Sequence, residues 1–304
     1  MKEIIRVESI SQVHDYFQLG KPKHPLVSII RYDNSWANVP VTEHRFVLEL
    51  YQVSLKSFLA GSFTYGRNSY DFQEGTLVMT GPGQVMEFDE NHVLSELVEE
   101  GWSLMFHPDL IRKSPLGQNI DDYSFFSYEA NEALHLSDDE KHSINQIIDK
   151  IEKEIHQNID RHSQKLIVSN IELLLDYCTR FYDRQFYTRT NLNKDILNRF
   201  DQLLKSYYSD ELQFQLGVPS VSYCGQSLNM SSKYLSDLLK KETGINAKAH
   251  IDDFLINKAK NKLLSTTDSV SEIAFSLGFD YAQHFSRIFK AKTGMSPLQY
   301  RGQN

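Results

Sequence analysis

Gln283, Ser286, Arg287 and Lys290 stand at i, i+3, i+4 and i+7, so on a helix they share one face. An amide, a hydroxyl, a guanidinium and an ammonium in that array make hydrogen bonds rather than break covalent ones. Glutamine matches the two-point edge of adenine, arginine that of guanine, and lysine the charge of a phosphate. Bond-breaking chemistry has no comparable signal: there is no nucleophile elbow, phosphate loop or dinucleotide fingerprint. The 11 histidines are scattered, with no two at i, i+2, whereas a metal needs several converging ligands. The reading is a binding protein without catalytic residues, metal or cofactor.

The elements that must carry this face are legible around it. Val270, Ile273, Ala274 and Leu277 mark the buried side of a short helix, and Gly278 follows where a left-handed residue ends one. A second helix opens near Asp280 with Phe285, Ile288 and Phe289 inward. Helix, tight turn and helix with a polar outer stripe is the layout of a helix-turn-helix; an ordinary helical hairpin is the plain alternative. The pattern then occurs twice. Val221, Cys224, Gly225, Leu228, Asn229 and Met230 repeat Val270, Ile273, Ala274, Leu277, Gly278 and Phe279 at an offset of 49 residues. Past the turn the offset is 50, and Leu235, Ser236, Leu238, Leu239, Lys240, Thr243 and Gly244 match Phe285, Ser286, Ile288, Phe289, Lys290, Thr293 and Gly294. A fixed period means two copies of one unit. Between them residues 247–264 have helical spacing, a rod of roughly 27 Å at ~1.5 Å per residue. That rod could hold two recognition helices about one DNA turn apart, roughly 34 Å.

The endings GFDYAQHFSRIFKAKTGMSPLQYR and LNMSSKYLSDLLKKETG resemble the two recognition units of the AraC/XylS family of bacterial transcription regulators, over roughly the last third of the chain. The resemblance implies an all-α domain of seven helices, with both recognition helices in successive major grooves. By motif position Ser231, Lys233, Ser236, Asp237 and Lys240 fall at the DNA in the first unit. In the second Ala282, Gln283, Ser286, Arg287 and Lys290 do so. Asp237 stands where the second unit has Arg287, which makes the first helix less basic or suits it to a cytosine amino group. The partners implied are double-stranded promoter DNA, a small-molecule effector, a second copy of the chain and RNA polymerase.

Charge agrees once it is divided. The chain carries −8 overall, but from Asp195 onward thirteen Lys and Arg face eleven Asp and Glu, leaving +2 there and −10 before it. DNA affinity follows local charge, so a weakly basic reader suggests modest affinity per monomer and a need for dimerisation. Cys178 and Cys224 lie beside apolar residues on helical patterns and are expected as buried thiols. The opening MKEIIRVESISQVHDYF has no apolar core, and no run approaches the ~20 apolar residues of a membrane span. The expectation is a soluble cytoplasmic protein.

Residues 1–130 show alternation in RFVLEL and GWSLMF, punctuated by Gly61, Gly66, Gly75, Gly81, Pro82 and Gly83. That predicts an all-β sandwich or small barrel. YDFQEGTLVMTGPGQVMEF resembles the cupin-like sensor barrels of such regulators. Metal cupins use His-x-His, a Glu and a later His. Here His44 stands alone, and after Pro82 and Gly83 no histidine occurs before His92. A metal-free pocket lined by apolar and aromatic groups, among them Phe46, Tyr65, Phe72 and Phe88, would take a small organic effector.

From Ser137, paired with Glu140 as a capping box, residues 135–187 predict two amphipathic helices. The first has Ile144, Ile147, Ile148, Ile151 and Ile155 inward. The second has Leu166, Ile167, Asn170, Leu173, Leu174, Tyr177, Cys178 and Phe181. Resemblance makes them dimerisation helices, with Ile148, Ile151 and Leu174 in the seam; covering the barrel is the alternative. TRTNLNK, 188–194, is the expected linker to a reader at 195–304, with helix-turn-helix units at about 220–242 and 269–292. The expected protein is multidomain, a transcription regulator answering a small molecule. A cupin-type enzyme with a DNA-binding tail and an effector-independent regulator are its rivals.

Overall fold

The computed structural model describes residues 4–32, 45–56, 75–87, 101–128, 132–158, 160–188 and 190–302. The chain divides into two compact units, Met1–Gln185 and Phe186–Asn304.

In the first unit β1 (Ile4–Val7), β3 (Arg45–Leu48) and β6 (Gln84–Glu87) form a sheet of order β1-β3-β6. A second sheet runs β2-β7-β4-β5-β8, from β2 (Val27–Tyr32), β4 (Tyr51–Lys56), β5 (Thr76–Thr80), β7 (Gly101–Phe106) and β8 (Leu134–His135). Apart from the parallel β1–β3 pair these pairings are antiparallel, as short segments joined by turns favour. The strands expected in residues 1–130 are present, but short helices stand among them, so the stretch is not all-β. A closed barrel is not seen either: among the described residues the two sheets share no hydrogen-bonded strand pair. His44, Gly61, Tyr65, Gly66, Phe72, Phe88 and His92 lie outside the described residues, as does the side chain of Phe46. Among the described residues no group of three or more His, Cys, Asp or Glu could hold a metal.

β7 is buried along its whole length, so its alternation does not separate an inside from an outside. Trp102, Leu104 and Phe106 share a face with Val53 and Leu55 of β4. Gly101 is needed as it stands, because an added Cβ would lie 2.8 Å from the Leu55 carbonyl oxygen and 2.9 Å from the Tyr32 ring. α1 (Ile10–Tyr16) adds Ile10 and Val13 to a small core with Val7, Ile30, Leu48, Leu50 and Met105. Two short helices, α2 (Pro108–Ile111) and α3 (Pro115–Asn119), follow β7.

α4 (Asp138–His156) begins with the expected capping box, Ser137 Oγ accepting the Glu140 N–H and Glu140 accepting the Ser137 N–H. Its five isoleucines are all buried, and Trp102 Nε1 donates to Asn145 at 2.8 Å. α5 (Ser163–Thr188) buries Ile167, Val168, Ile171, Leu174, Leu175, Cys178, Phe181 and Tyr182. Ile148, Ile151 and Leu174 have no exposure within one chain, so they cannot form a seam with another. Leu166 and Leu173, expected inward, are instead 47% and 41% exposed. The inward arc is centred one residue away from the one read from spacing, because Val168, Ile171 and Leu175 complete it. Cys178 is buried, and desolvation pushes its thiol up to about 12.

The polar stretch 188–194 is helical on both sides of residue 189. Thr188 ends α5, and α6 (Thr190–Ser209) takes up the rest. TRTNLNK holds no glycine or proline, and polarity alone marks a solvated helix face as readily as a linker. The second unit is all helical: α6, α7 (Gln213–Leu216), α8 (Val221–Ser227), α9 (Ser232–Thr243), α10 (Ala247–Ser265), α11 (Val270–Ser276), α12 (Ala282–Thr293) and α13 (Pro297–Arg301). Phe200, Leu204, Tyr207, Cys224, Leu235, Leu239, Ile251, Leu255, Ile273, Leu277, Phe285 and Phe289 form its core.

Candidate nucleic-acid interface

The two repeats close their turns and end their second helices in the same way. Ser220 caps α8 by accepting the Tyr223 N–H, and Ser269 caps α11 in a reciprocal box with Glu272. Cys224, Gly225 and Leu228 are buried on one helix, and Ile273, Ala274 and Leu277 on the other. Each first helix then stops on a left-handed residue, Asn229 at φ 57° and Gly278 at φ 90°. One hydrogen bond closes each turn: Met230 N donates to Gly225 O at 2.8 Å, and Phe279 N to Ala274 O at 3.0 Å. The second helices end on Gly244 and Gly294, at φ 83° and 78°. Just before them Thr243 and Thr293 donate back to Leu239 O and Phe289 O, at 2.7 and 2.8 Å.

α10 is the expected rod, 19 residues long, with Ala247, Ile251, Leu255, Ile256, Ala259 and Leu263 buried. At ~1.5 Å per residue it spans roughly 28 Å. Arg301 closes the end of the second repeat, its guanidinium donating to the carbonyls of Leu263 and Asp268 at 3.1 and 2.6 Å.

The outer faces carry most of the expected residues. Lys233 and Lys240 are exposed on α9, with Ser236 and Asp237 half-buried beside them. Gln283, Arg287 and Lys290 are exposed on α12, with Ala282 and Ser286 half-buried. Lys292, one turn from this stripe, pairs with Asp253 at 2.7 Å. Ser231 differs from the expectation. It is the N-cap of α9, nine-tenths buried, and its Oγ accepts the Tyr234 N–H at 3.1 Å. A hydroxyl that satisfies a helix's first donors is held for that purpose. Its counterpart fifty residues on is Tyr281, which makes no side-chain cap and is 69% exposed at the start of α12. Tyr281 and the exposed His284 were both passed over in the sequence, although the 50-residue offset from Ser231 points to Tyr281.

The chain matches the helix-turn-helix domain family over residues 224–303. It is 31% identical over 157 residues to an uncharacterized HTH-type transcriptional regulator, YfiF of Bacillus subtilis, which covers 51% of this chain and 45% of that one. The C-terminal part of the chain is thus an AraC-type helix-turn-helix domain. An uncharacterized HTH-type transcriptional regulator of Staphylococcus aureus, SAS0078, is 26% identical over 139 residues, 46% of this chain and 17% of its own. Among solved structures, the C-terminal domain of AraT, a response regulator from Geobacillus stearothermophilus, is 34% identical, with a TM-score of 0.32, covering 36% of this chain and 85% of that one. The chain thus spans less than half the length of these two curated relatives.

Proposed function

We propose that the protein is a sequence-specific DNA-binding transcription regulator that works as a dimer and answers a small molecule. The observation that carries this reading is the pair of matching helix-turn-helix repeats on either side of α10. Lys233, Ser236, Asp237 and Lys240 face DNA from α9. Ala282, Gln283, Ser286, Arg287 and Lys290 face it from α12. Gln283 suits adenine and Arg287 guanine, because each can pair at two points in the major groove. Ser231 leaves this set for its capping role. Selecting bound sequences from random duplexes with the full chain tests the reading. Enrichment of one common sequence supports it, and a pool that stays random overturns it.

The first unit, with its two short-stranded sheets, is the sensor in this reading, a cupin-like scaffold working without a metal. Leu166 and Leu173 of α5 are seven residues apart on one exposed face, with the half-buried Asn170 between them. A seven-residue apolar repeat is the spacing of a two-helix seam, and we assign it to a second copy of the chain. Sedimentation of the full chain with Leu166→Lys and Leu173→Lys gives a folded monomer on this account. A dimer that survives both changes moves the seam elsewhere. Among the described residues no helix is long and apolar enough to cross a membrane.

A further inference from the structure

The duplication provides an internal control, since each residue of α9 has a counterpart in α12 fifty residues on. Leu235 and Leu239 are buried like Phe285 and Phe289. Lys233 and Lys240 are exposed like Gln283 and Lys290. The sharpest break on the inner flank is at Tyr234. Tyr234 is 7% exposed, whereas His284 is open to solvent. A ring that packs against Tyr234 is that of Phe186, with centroids 5.2 Å apart and planes tilted by 49°. Phe186 is itself 4% exposed and stands in the last turn of α5.

The position of Phe186 gives the contact its meaning. α5 begins at Ser163 in the first unit, and its last residues, from Phe186, belong to the second. Tyr234 lies in the turn of α9 that also carries Lys233, Ser236 and Asp237, so shifting its ring tilts those side chains together. The exposed Lys233 and Lys240 show that the contact leaves the outer stripe open. It supports α9 from behind rather than covering it. Among the described residues α12 has no matching ring contact from α5: the ring against His284 is that of Phe279, from the turn of the same repeat.

We propose that the Phe186–Tyr234 contact is a positioning device through which α5 sets the first recognition helix and leaves the second alone. The two halves of one bound site then differ in kind, one braced by the end of α5 and one not. This inference rests on the DNA-binding reading.

The test is a hydroxyl-radical footprint of the full chain on its selected sequence, read separately over each half. Phe186→Ala should weaken protection of the α9 half about tenfold, within the range usual for coupled sites, and leave the α12 half unchanged. Tyr234→His, which installs the residue of the second repeat, should do the same. The double variant should be no worse than either single one, because both remove one contact. Phe186→Leu retains apolar burial without the ring. It should stay folded by thermal denaturation and shift the footprint in the same direction. Equal loss over both halves, additive effects of the two changes, or an unchanged α9 half in Phe186→Leu would each overturn the proposal. A wild-type chain that protects no DNA would instead overturn the function on which it rests.

Discussion

The two helix-turn-helix repeats share a core and differ at their edges. Buried positions correspond almost one for one, and both turns close through the same backbone hydrogen bond. Besides Tyr234 against His284, three differences concern the turn, the outer face and the cap. The first turn uses Asn229 where the second uses Gly278. The first outer face carries Asp237 where the second carries Arg287. The first recognition helix is capped by Ser231, whereas the second begins with the uncapped and exposed Tyr281. The lesson is that packing fixes the shape of the unit, while the surface is free to differ between the copies.

The largest expected asymmetry is in the turns. An added Cβ at Gly278 would stand 2.6 Å from the carbonyl carbon of Gly217 and 2.9 Å from the Val218 nitrogen, at a φ of 90°. Backbone atoms cannot move aside as a flexible side chain can. Gly278→Ala should therefore cost more than about 3 kcal/mol in chemical denaturation. Asn229→Ala, at φ 57°, should cost about 1 kcal/mol. Equal costs would mean that the two turns are under the same constraint after all.

Next in size is the difference in reading. Arg287→Ala should lose about 1–3 kcal/mol on the selected sequence and relax preference at one base pair. Asp237→Ala should remove no such preference, and should strengthen binding on every sequence by deleting a negative charge near phosphates. Titrations against a panel of single-base variants decide this. Uniform weakening by Arg287→Ala would place its guanidinium on a phosphate.

The smallest effect concerns acid. Thr243 at the end of α9 bonds His250 Nε2 at 2.7 Å, and the counterpart of His250 in the second repeat is Tyr300. Burial holds the His250 imidazole below its ordinary range, and Lys292 adds to the lowering against the opposing pull of Asp201 and Asp253. The unfolded chain then takes up a proton at higher pH than the folded one. Stability is flat above the ordinary histidine range of about 6.5 and declines as pH falls below it. His250→Gln should flatten part of that decline in denaturation series run at about pH 5 and about pH 7.5. An unchanged slope would remove His250 from the account.

The second unit was legible because its information is periodic and local. Helical spacing, glycine or asparagine after each first helix, and a fixed offset all survive in a single sequence. Most of the outer stripe followed from the same spacing. Ser231 did not, because a hydroxyl at a helix start looks alike whether it caps the helix or faces a ligand. The first unit was less legible for physical reasons. Its strands are only two to six residues long, and a fully buried strand such as β7 alternates without an outside. Leu166 and Leu173 fell on the wrong side of α5 because its buried arc is broad, and a broad arc leaves its edges undetermined. The burial of Tyr234 could not be read at all, since the ring that packs on it comes from 48 residues earlier, 234 − 186.

The central claim is that one chain reads duplex DNA through two unequal copies of one unit. Methylation interference on the selected sequence tests it most directly, by locating the major-groove bases that binding needs. The account predicts two clusters of required bases about one helical turn apart, one of which loses a guanine requirement in Arg287→Ala while the other is untouched. A single cluster, or two clusters that both persist unaltered in Arg287→Ala, would contradict it.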